Sequence, residues 1–494
     1  MTGPDPTLRP GALEVGQVID GFRLDERAHQ GGMANLWRVT RVEPPPPGEP
    51  DLPLIMKVPR IKGGDDPTTI VGFEVEQMIM PSLTGPHVPR FIAKGDFTRL
   101  PYIVMERIAG PSLKPRFDAA PLALAEIVAI GAKVATALHD LHRQHVVHLD
   151  VKPSNILFRP EVDGRGGEAV LVDFGLSRHD HLPDLLDEEF ELPMGTAPYM
   201  SPEQIQFVRS DPRSDLFALG VMLYHLTTGA RPFGAPTSVR GLRERLYRDP
   251  PSPRELRPDC PPWLQEVILR CLEVDPARRQ QTAAQLAFDL QNPDQVALTE
   301  RAARVARAGR LGVLKRWFKA IGADVRSDGG AAEQTVKSPI LLAAVDVLGA
   351  EPALLESVRQ TVQRLLQTAP GARLACLTVL KINRIAMDEL VDPDGSSKHL
   401  NLLVQLKHWA RPLAHAIAVP GGERATGRVT FHVLEAPDAA SAIVDYARRN
   451  QVDHIVMGAR SSGGLRRYLG SVSAQVVAES DCTVTVVRAA APGN

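Results

Sequence analysis

His148-Leu149-Asp150-Val151-Lys152-Pro153-Ser154-Asn155 and, eighteen residues beyond Asn155, Asp173-Phe174-Gly175 are the stretches that decide how this chain is read. Two carboxylates and an amide at that spacing suit a site that holds a hydroxyl nucleophile beside metal-bound phosphates. Taken alone, an Asp-Phe-Gly is usually a turn, so the reading depends on what surrounds it.

Working outward, further landmarks appear in order. Leu54-Ile55-Met56-Lys57 is a strand ending in lysine, and Phe73-Glu74-Val75-Glu76 opens a helix; Ile103-Val104-Met105-Glu106 is a second apolar strand. Gly195-Thr196-Ala197-Pro198-Tyr199, Ser201-Pro202-Glu203, Asp215 and Arg279 follow. Over about Gly21 to Leu290 the set resembles the protein kinase family, which implies a bilobal α+β fold using ATP and Mg²⁺. The resemblance gives Asp150 the substrate hydroxyl, Asn155 and Asp173 the metal, Lys57 the ATP phosphates, and Lys152 a steadying role in catalysis. Glu76 is chosen as the expected partner of Lys57; two positions along a helix point about 200° apart, so Glu74 and Glu76 cannot both face it. The nucleotide is expected against Ala28, Gly31, Gly32, Leu36 and Lys57, and against the hinge at Glu106 and Ile108, with Met105 at its gate. Asp215 and Arg279 match the acid and the arginine that brace the catalytic loop and Glu203. Lys152 with Thr196 resembles the serine/threonine branch, and Gly31-Gly32-Met33-Ala34 is similar to its bacterial members.

Several positions depart from the pattern. His29 and Ala34 stand where the nucleotide loop usually has its first and third glycines, and Ile55 replaces the usual alanine over adenine. Glycine remains at the middle turn, where the backbone comes closest to phosphate. Leu149 replaces the arginine that pairs with a phosphorylated activation loop. Consistently, His179 to Met194 contains no Ser, Thr or Tyr but does contain Asp180, Asp184, Asp187, Glu188, Glu189 and Glu191. The plain reading is an acidic, solvated loop; the sharper expectation is that regulation by loop phosphate has been lost, whether or not those acids substitute for it.

The second half reads differently. Ile340 to Val345 is an apolar run followed by alternating helix and strand patterns, as in a doubly wound α/β parallel sheet covered on both faces. Val345-Asp346, His454-Ile455-Val456-Met457-Gly458 and Gly470-Ser471-Val472-Ser473 resemble the universal stress protein family over about Ser338 to Arg488. The resemblance implies a second nucleotide site at Asp346, Gly458, Ser461, Gly470 and Ser471, and homodimerisation through this domain. Ser461 replaces a glycine and the loop to Gly470 is one residue short, so ATP is expected to bind here more weakly than in the first half. The fragment from about Lys337 to Asn494 is expected to fold alone.

Composition sets the frame. The chain has 494 residues, enough for several domains of roughly 150 residues. Lys+Arg 57 against Asp+Glu 58 gives a net charge of -1, which offers no global field for nucleic acid. Cys260, Cys271, Cys376 and Cys482 show no paired spacing, and neither a signal peptide nor a transmembrane run is legible, so a cytoplasmic setting is expected. The expected organisation is a flexible leader over 1–20, a kinase domain over 21–291, a basic linker with a helix over 292–337 and the stress-protein-like domain over 338–490. Within the linker, Leu314, Trp317, Phe318 and Ile321 share one helical face, with Arg310, Lys315, Arg316 and Lys319 near it. Packing on a domain is preferred there over contact with an anionic membrane. The reading is thus a serine/threonine kinase acting on protein hydroxyls, with a sensing or docking domain; the alternative is a pseudokinase scaffold that binds nucleotide and partner proteins.

Overall fold

The structure, a computed structural model, describes residues 13–30, 34–60, 67–95, 100–160, 167–189, 193–305, 339–369, 371–382, 398–416, 429–459 and 470–488. Gly31, Gly32, Ser461 and the basic 310–321 segment lie outside them. Residue contacts divide the chain into two compact units: one of 1–260, 268–279 and 304–332, the other of 261–267, 280–303 and 333–494. Among the described residues no helix is long and apolar enough to cross a membrane.

The first unit opens with an antiparallel sheet of β1 (Val18–Ile19), β2 (Phe22–Gln30), β3 (Ala34–Arg41), β4 (Leu54–Pro59), β5 (Phe91–Lys94) and β6 (Ile103–Glu106), in the order β1-β2-β3-β4-β6-β5. Alternation explains β4: Leu54, Met56 and Val58 enter the core, while Lys57 lies on the other face. The leader expected over 1–20 is shorter at its C-terminal end, because Leu13 and Ile19 join Phe22, Leu24 and Trp37 in that core. Their apolar surface gains more from burial than chain freedom costs. The Pro44–Pro47 run falls between β3 and β4, as its composition suggests.

Helix α1 (Pro67–Ile79) packs against β4. The helical part is built around α2 (Leu124–Arg143), with the catalytic loop between β7 (Val146–Val147) and β8 (Ile156–Phe158). Then come β9 (Ala169–Leu171), β10 (Arg178–His179), α3 (Leu185–Glu189), α4 (Pro202–Ile205) and α5 (Arg213–Thr228). Strand β10 pairs with β7, which holds the chain after Gly175 against the catalytic loop.

The second unit contains α6 (Ala283–Gln291) and a parallel sheet of β11 (Ile340–Ala344), β12 (Arg373–Lys381), β13 (Val429–Ala436), β14 (His454–Gly458) and β15 (Thr483–Val487). The order β13-β12-β11-β14-β15 reverses at β11, the doubly wound arrangement. Helices α7 (Pro352–Thr368) and α8 (Lys398–Ala416) cover one face, with Leu354, Val358, Val362 and Leu366 following a four-residue period. Helices α9 (Ala439–Arg449) and α10 (Ser471–Glu479) cover the other.

Ala284 and Phe288 of α6 belong to that second core. Asp289 accepts from Arg373 Nη1 at 2.6 Å, both side chains are buried, and the guanidinium lies 4.2 Å from the Phe288 ring centre. The expectation that Lys337 to Asn494 folds alone therefore meets an obstacle: without α6 the fragment exposes core and strands a buried charge. The 292–305 stretch, assigned to the linker by its basic residues, holds the short helix Glu300–Ala303. Glu266 accepts there from Thr299 Oγ1 at 2.9 Å and Arg301 Nε at 2.8 Å.

Candidate active site

Strand β4 and helix α1 bring Lys57 and Glu76 together: Lys57 Nζ donates to Glu76 Oε2 at 2.6 Å and to Asp173 Oδ1 at 2.7 Å. Glu76 is 1% exposed, whereas Glu74 faces solvent, as the helical phase requires. Burial alone would lower the Lys57 pKa, but the carboxylates of Asp173 and Glu76 outweigh it and raise the ammonium well above its ordinary value. The Lys57 charge in turn holds Asp173 at about 2. Burial pushes Glu76 upward against the opposing pull of Lys57.

The catalytic loop is tied as closely. Asp150 Oδ1 accepts from the Thr196 amide at 3.0 Å and from its hydroxyl at 2.6 Å; Oδ2 accepts from Lys152 Nζ at 2.5 Å. Asn155 Nδ2 donates to the Asp150 carbonyl at 3.1 Å. Leu149 at φ 63° and Asp173 at φ 70° occupy left-handed backbone that costs on the order of 1–3 kcal/mol for such residues. Leu149 is held there from both ends: its N–H donates to Asp215 Oδ1 at 2.8 Å and its carbonyl accepts from Gln204 Nε2 at 2.8 Å. Asp215 Oδ2 also accepts from the His148 amide and meets His142 Nε2, each at 2.9 Å. Arg279 grips Glu203 through two 2.7 Å bonds, with both side chains 0% exposed. His142 and Gln204 were not singled out from sequence; nothing local marks them, because their partners are distant in the chain.

At the nucleotide end, Ala28 lies on β2, and Leu36 on β3 pairs with His29 on β2. The Glu106 side chain is committed to Arg159, whose Nη2 donates at 3.0 Å, and the Glu106 amide donates to the Arg90 carbonyl at 2.9 Å. Ile108 follows two residues on, and Met105 pairs with Ile55 across β6 and β4.

In the second unit a cavity of about 370 Å³ opens where the strand order reverses. Asp346, Gly458, Gly470 and Ser471 line it, with Thr378 and Lys381 from β12 and an apolar wall that includes Ala344, Leu354, Met457 and Val472. Asp346 Oδ1 accepts from the Gly349 amide at 2.9 Å. Gly458 lies close to Leu354: a Cβ there would fall 2.9 Å from Leu354 Cδ2, so that side chain would have to shift. Thr378 and Lys381 were not named from sequence, though lysine at a parallel strand's C-terminal end is the available signal.

A lysine–glutamate pair on strand and helix, an aspartate held by a loop lysine and threonine, and an amide and second aspartate beside them define a phosphotransferase centre of the protein kinase class. Comparison with known proteins agrees. The protein kinase domain family matches residues 61–289 and the universal stress protein family matches 339–488. The serine/threonine-protein kinase pkn3 of Myxococcus xanthus is 31% identical over 379 residues, covering 72% of this chain and 67% of that protein. PknL of Mycobacterium tuberculosis is 31% identical over 280 residues, 56% of this chain and 67% of that one. A probable serine/threonine-protein kinase of Clostridium perfringens, CPE1738, is 32% identical over 220 residues, and this chain covers 31% of its length. The chain belongs to the serine/threonine protein kinase family and carries a universal stress protein domain.

Proposed function

We propose that the chain transfers the γ-phosphoryl group of ATP to a Ser or Thr hydroxyl of a protein, with the roles divided as follows. Lys57, oriented by Glu76, meets the ATP phosphates; Asp150 orients the acceptor hydroxyl and takes up its proton; Lys152, already bonded to Asp150 and near Thr196, offsets charge on the transferring group. The observation that carries this reading is the shared network in which Lys57 joins Glu76 and Asp173 through two short ion pairs. Preorganised charge of this kind lowers a barrier without reorganisation during the reaction.

The donor set suits magnesium. Asp173 offers a carboxylate that is 43% exposed and ionised at any physiological pH, and Asn155 offers an amide oxygen; both are the hard oxygen ligands that Mg²⁺ takes together with substrate phosphates. Asp173 and Asn155 would hold the ion, which would neutralise charge on the phosphates. The test is incubation of the full chain with labelled ATP and Mg²⁺, with and without a general acceptor protein. Label on the chain or the acceptor supports the reading, and its absence from both favours a scaffold.

The second unit's cavity supports a second reading beside the first. Its place at the strand reversal, with glycine at Gly458 and a helix N-terminus at Gly470, suits a nucleotide with phosphates toward α10. Its apolar wall, with Lys381 the one lysine among the described lining residues, suits weak binding. Titration of ATP into a Lys57→Met chain reads this site, and a signal no weaker than the wild-type kinase site would overturn the ranking.

A further inference from the structure

The activation loop raises a physical question. His179 to Met194 offers no hydroxyl, and Leu149, buried, cannot pair with a phosphate in any case, yet the described part of the loop is tied down. Asp184, at the entry of α3, supplies the tie. Its Oδ2 accepts from Arg209 Nε at 2.9 Å and faces Arg178 Nε at 3.5 Å. Arg178 is shared with Asp180 at 3.8 Å. Arg209 also donates through Nη2 to the carbonyl of Leu176 at 3.2 Å, the residue directly after Gly175. The Asp184 side chain is 16% exposed and that of Arg209 is 9%, so solvent screens the pair only in part.

One guanidinium therefore joins three places: the start of the loop at Leu176, its middle at Asp184, and the turn beyond α4. Two residues after Asp184, Leu186 is completely buried, and α3 packs beside α1, the helix that carries Glu76. Pinning Asp184 thus holds the loop along the path from Gly175 to the partner of Lys57.

We infer that Asp184 is a fixed-charge substitute for an activation-loop phosphate, a positioning residue that acts through Arg209 and Arg178. This rests on the kinase reading above. A carboxylate carries one negative charge where a phosphate carries about 1.5 to 2, but it is present as soon as the chain folds. The loop is consequently set by sequence rather than by modification.

The test uses the full chain as wild type before and after phosphatase, and as Asp184→Asn, Asp184→Glu and Asp187→Asn, reading kcat, ATP KM and Tm. Asp184→Asn should lower kcat about tenfold with ATP KM within about twofold, and Asp184→Glu should recover most of the loss. Phosphatase treatment and Asp187→Asn should each leave kcat within about twofold. An active wild type matched by Asp184→Asn overturns this inference alone. So does a loss that follows Tm and is not recovered by Asp184→Glu, or a phosphatase-sensitive wild type. A wild type without transfer removes the kinase reading and this inference with it. Should Asp184→Asn fail to fold, Arg178→Gln decides: a kcat at the wild-type level overturns the inference, and a drop of about threefold supports it.

Discussion

In the first unit Lys57, Glu76 and Asp173 stand charge against charge within 2.7 Å, and Asp150 is bonded to Lys152 and Thr196. In the second, the cavity is walled by Ala344, Leu354, Met457 and Val472, with Asp346, Lys381 and a helix N-terminus at its margin. The difference teaches how each site is held ready. Where ionic side chains pair with one another, the pairs themselves hold the geometry, and losing one charge disturbs the others. Where strand ends, glycine and a helix start form the site, no single side chain dominates, and shape does most of the work.

The largest expected effect follows from the first kind of site. Lys57→Met should lower phosphotransfer on the order of a thousandfold, since it removes the cation proposed to meet the phosphates and leaves Glu76 and Asp173 without their partner. Transfer kinetics check this, and a loss below about tenfold would put the two sites in one class.

Next comes the ion pair that ties α6 to β12 within the second unit. Asp289→Ala leaves Arg373 buried without its carboxylate and should cost that unit about 3 kcal/mol. Chemical denaturation followed by hydrogen exchange in β11 and β12 reads it. For the same reason a 338–494 fragment should unfold without a sharp transition, while a 280–494 fragment should unfold cooperatively.

A smaller effect is set by pH. Burial, helped by Arg373, holds the His432 imidazole down at about 4, against an ordinary value of about 6.5. The unfolded chain therefore takes up this proton first. The second unit should lose stability as pH falls from about 6.5 toward about 4, and this group should contribute no pH dependence above about 7.5. Comparing denaturation midpoints at about pH 7.5 and about pH 5, His432→Phe should show a shallower fall than wild type. Equal slopes would remove His432 as the cause.

The smallest effect belongs to the cavity. Ser471→Ala should change ATP affinity there by no more than about threefold, because backbone donors at the start of α10 do not depend on that hydroxyl. Calorimetry on a Lys57→Met background measures it, and a tenfold loss would show that side-chain chemistry governs this site too.

How far the sequence foretold these features follows from the same contrast. Asp150, Asn155, Asp173 and Lys57 were picked out by motifs that resemble the kinase family, and helical phase said only that Glu74 and Glu76 could not both face Lys57; the buried Glu76 is the one that does. The doubly wound sheet was legible in its buried apolar strands. Asp184 was visible as one acid among six, but its partner Arg209 lies 25 residues away, and no local pattern joins them. The sequence reading placed α6 inside the kinase domain over 21–291. That Ala284 and Phe288 belong to the second core, and that Asp289 pairs with Arg373 across 84 residues, depends on tertiary packing that periodicity does not address.

The central claim is that Asp150 acts on a protein hydroxyl in a working phosphotransfer centre. The most direct measurement sets wild type beside Asp150→Asn, with labelled ATP and Mg²⁺ for transfer and calorimetry for ATP binding. The predicted result is Mg²⁺-dependent transfer by wild type that falls by about 10³ or more in the variant, while ATP affinity stays within about threefold. Equal transfer by both proteins, or none by wild type, would contradict it.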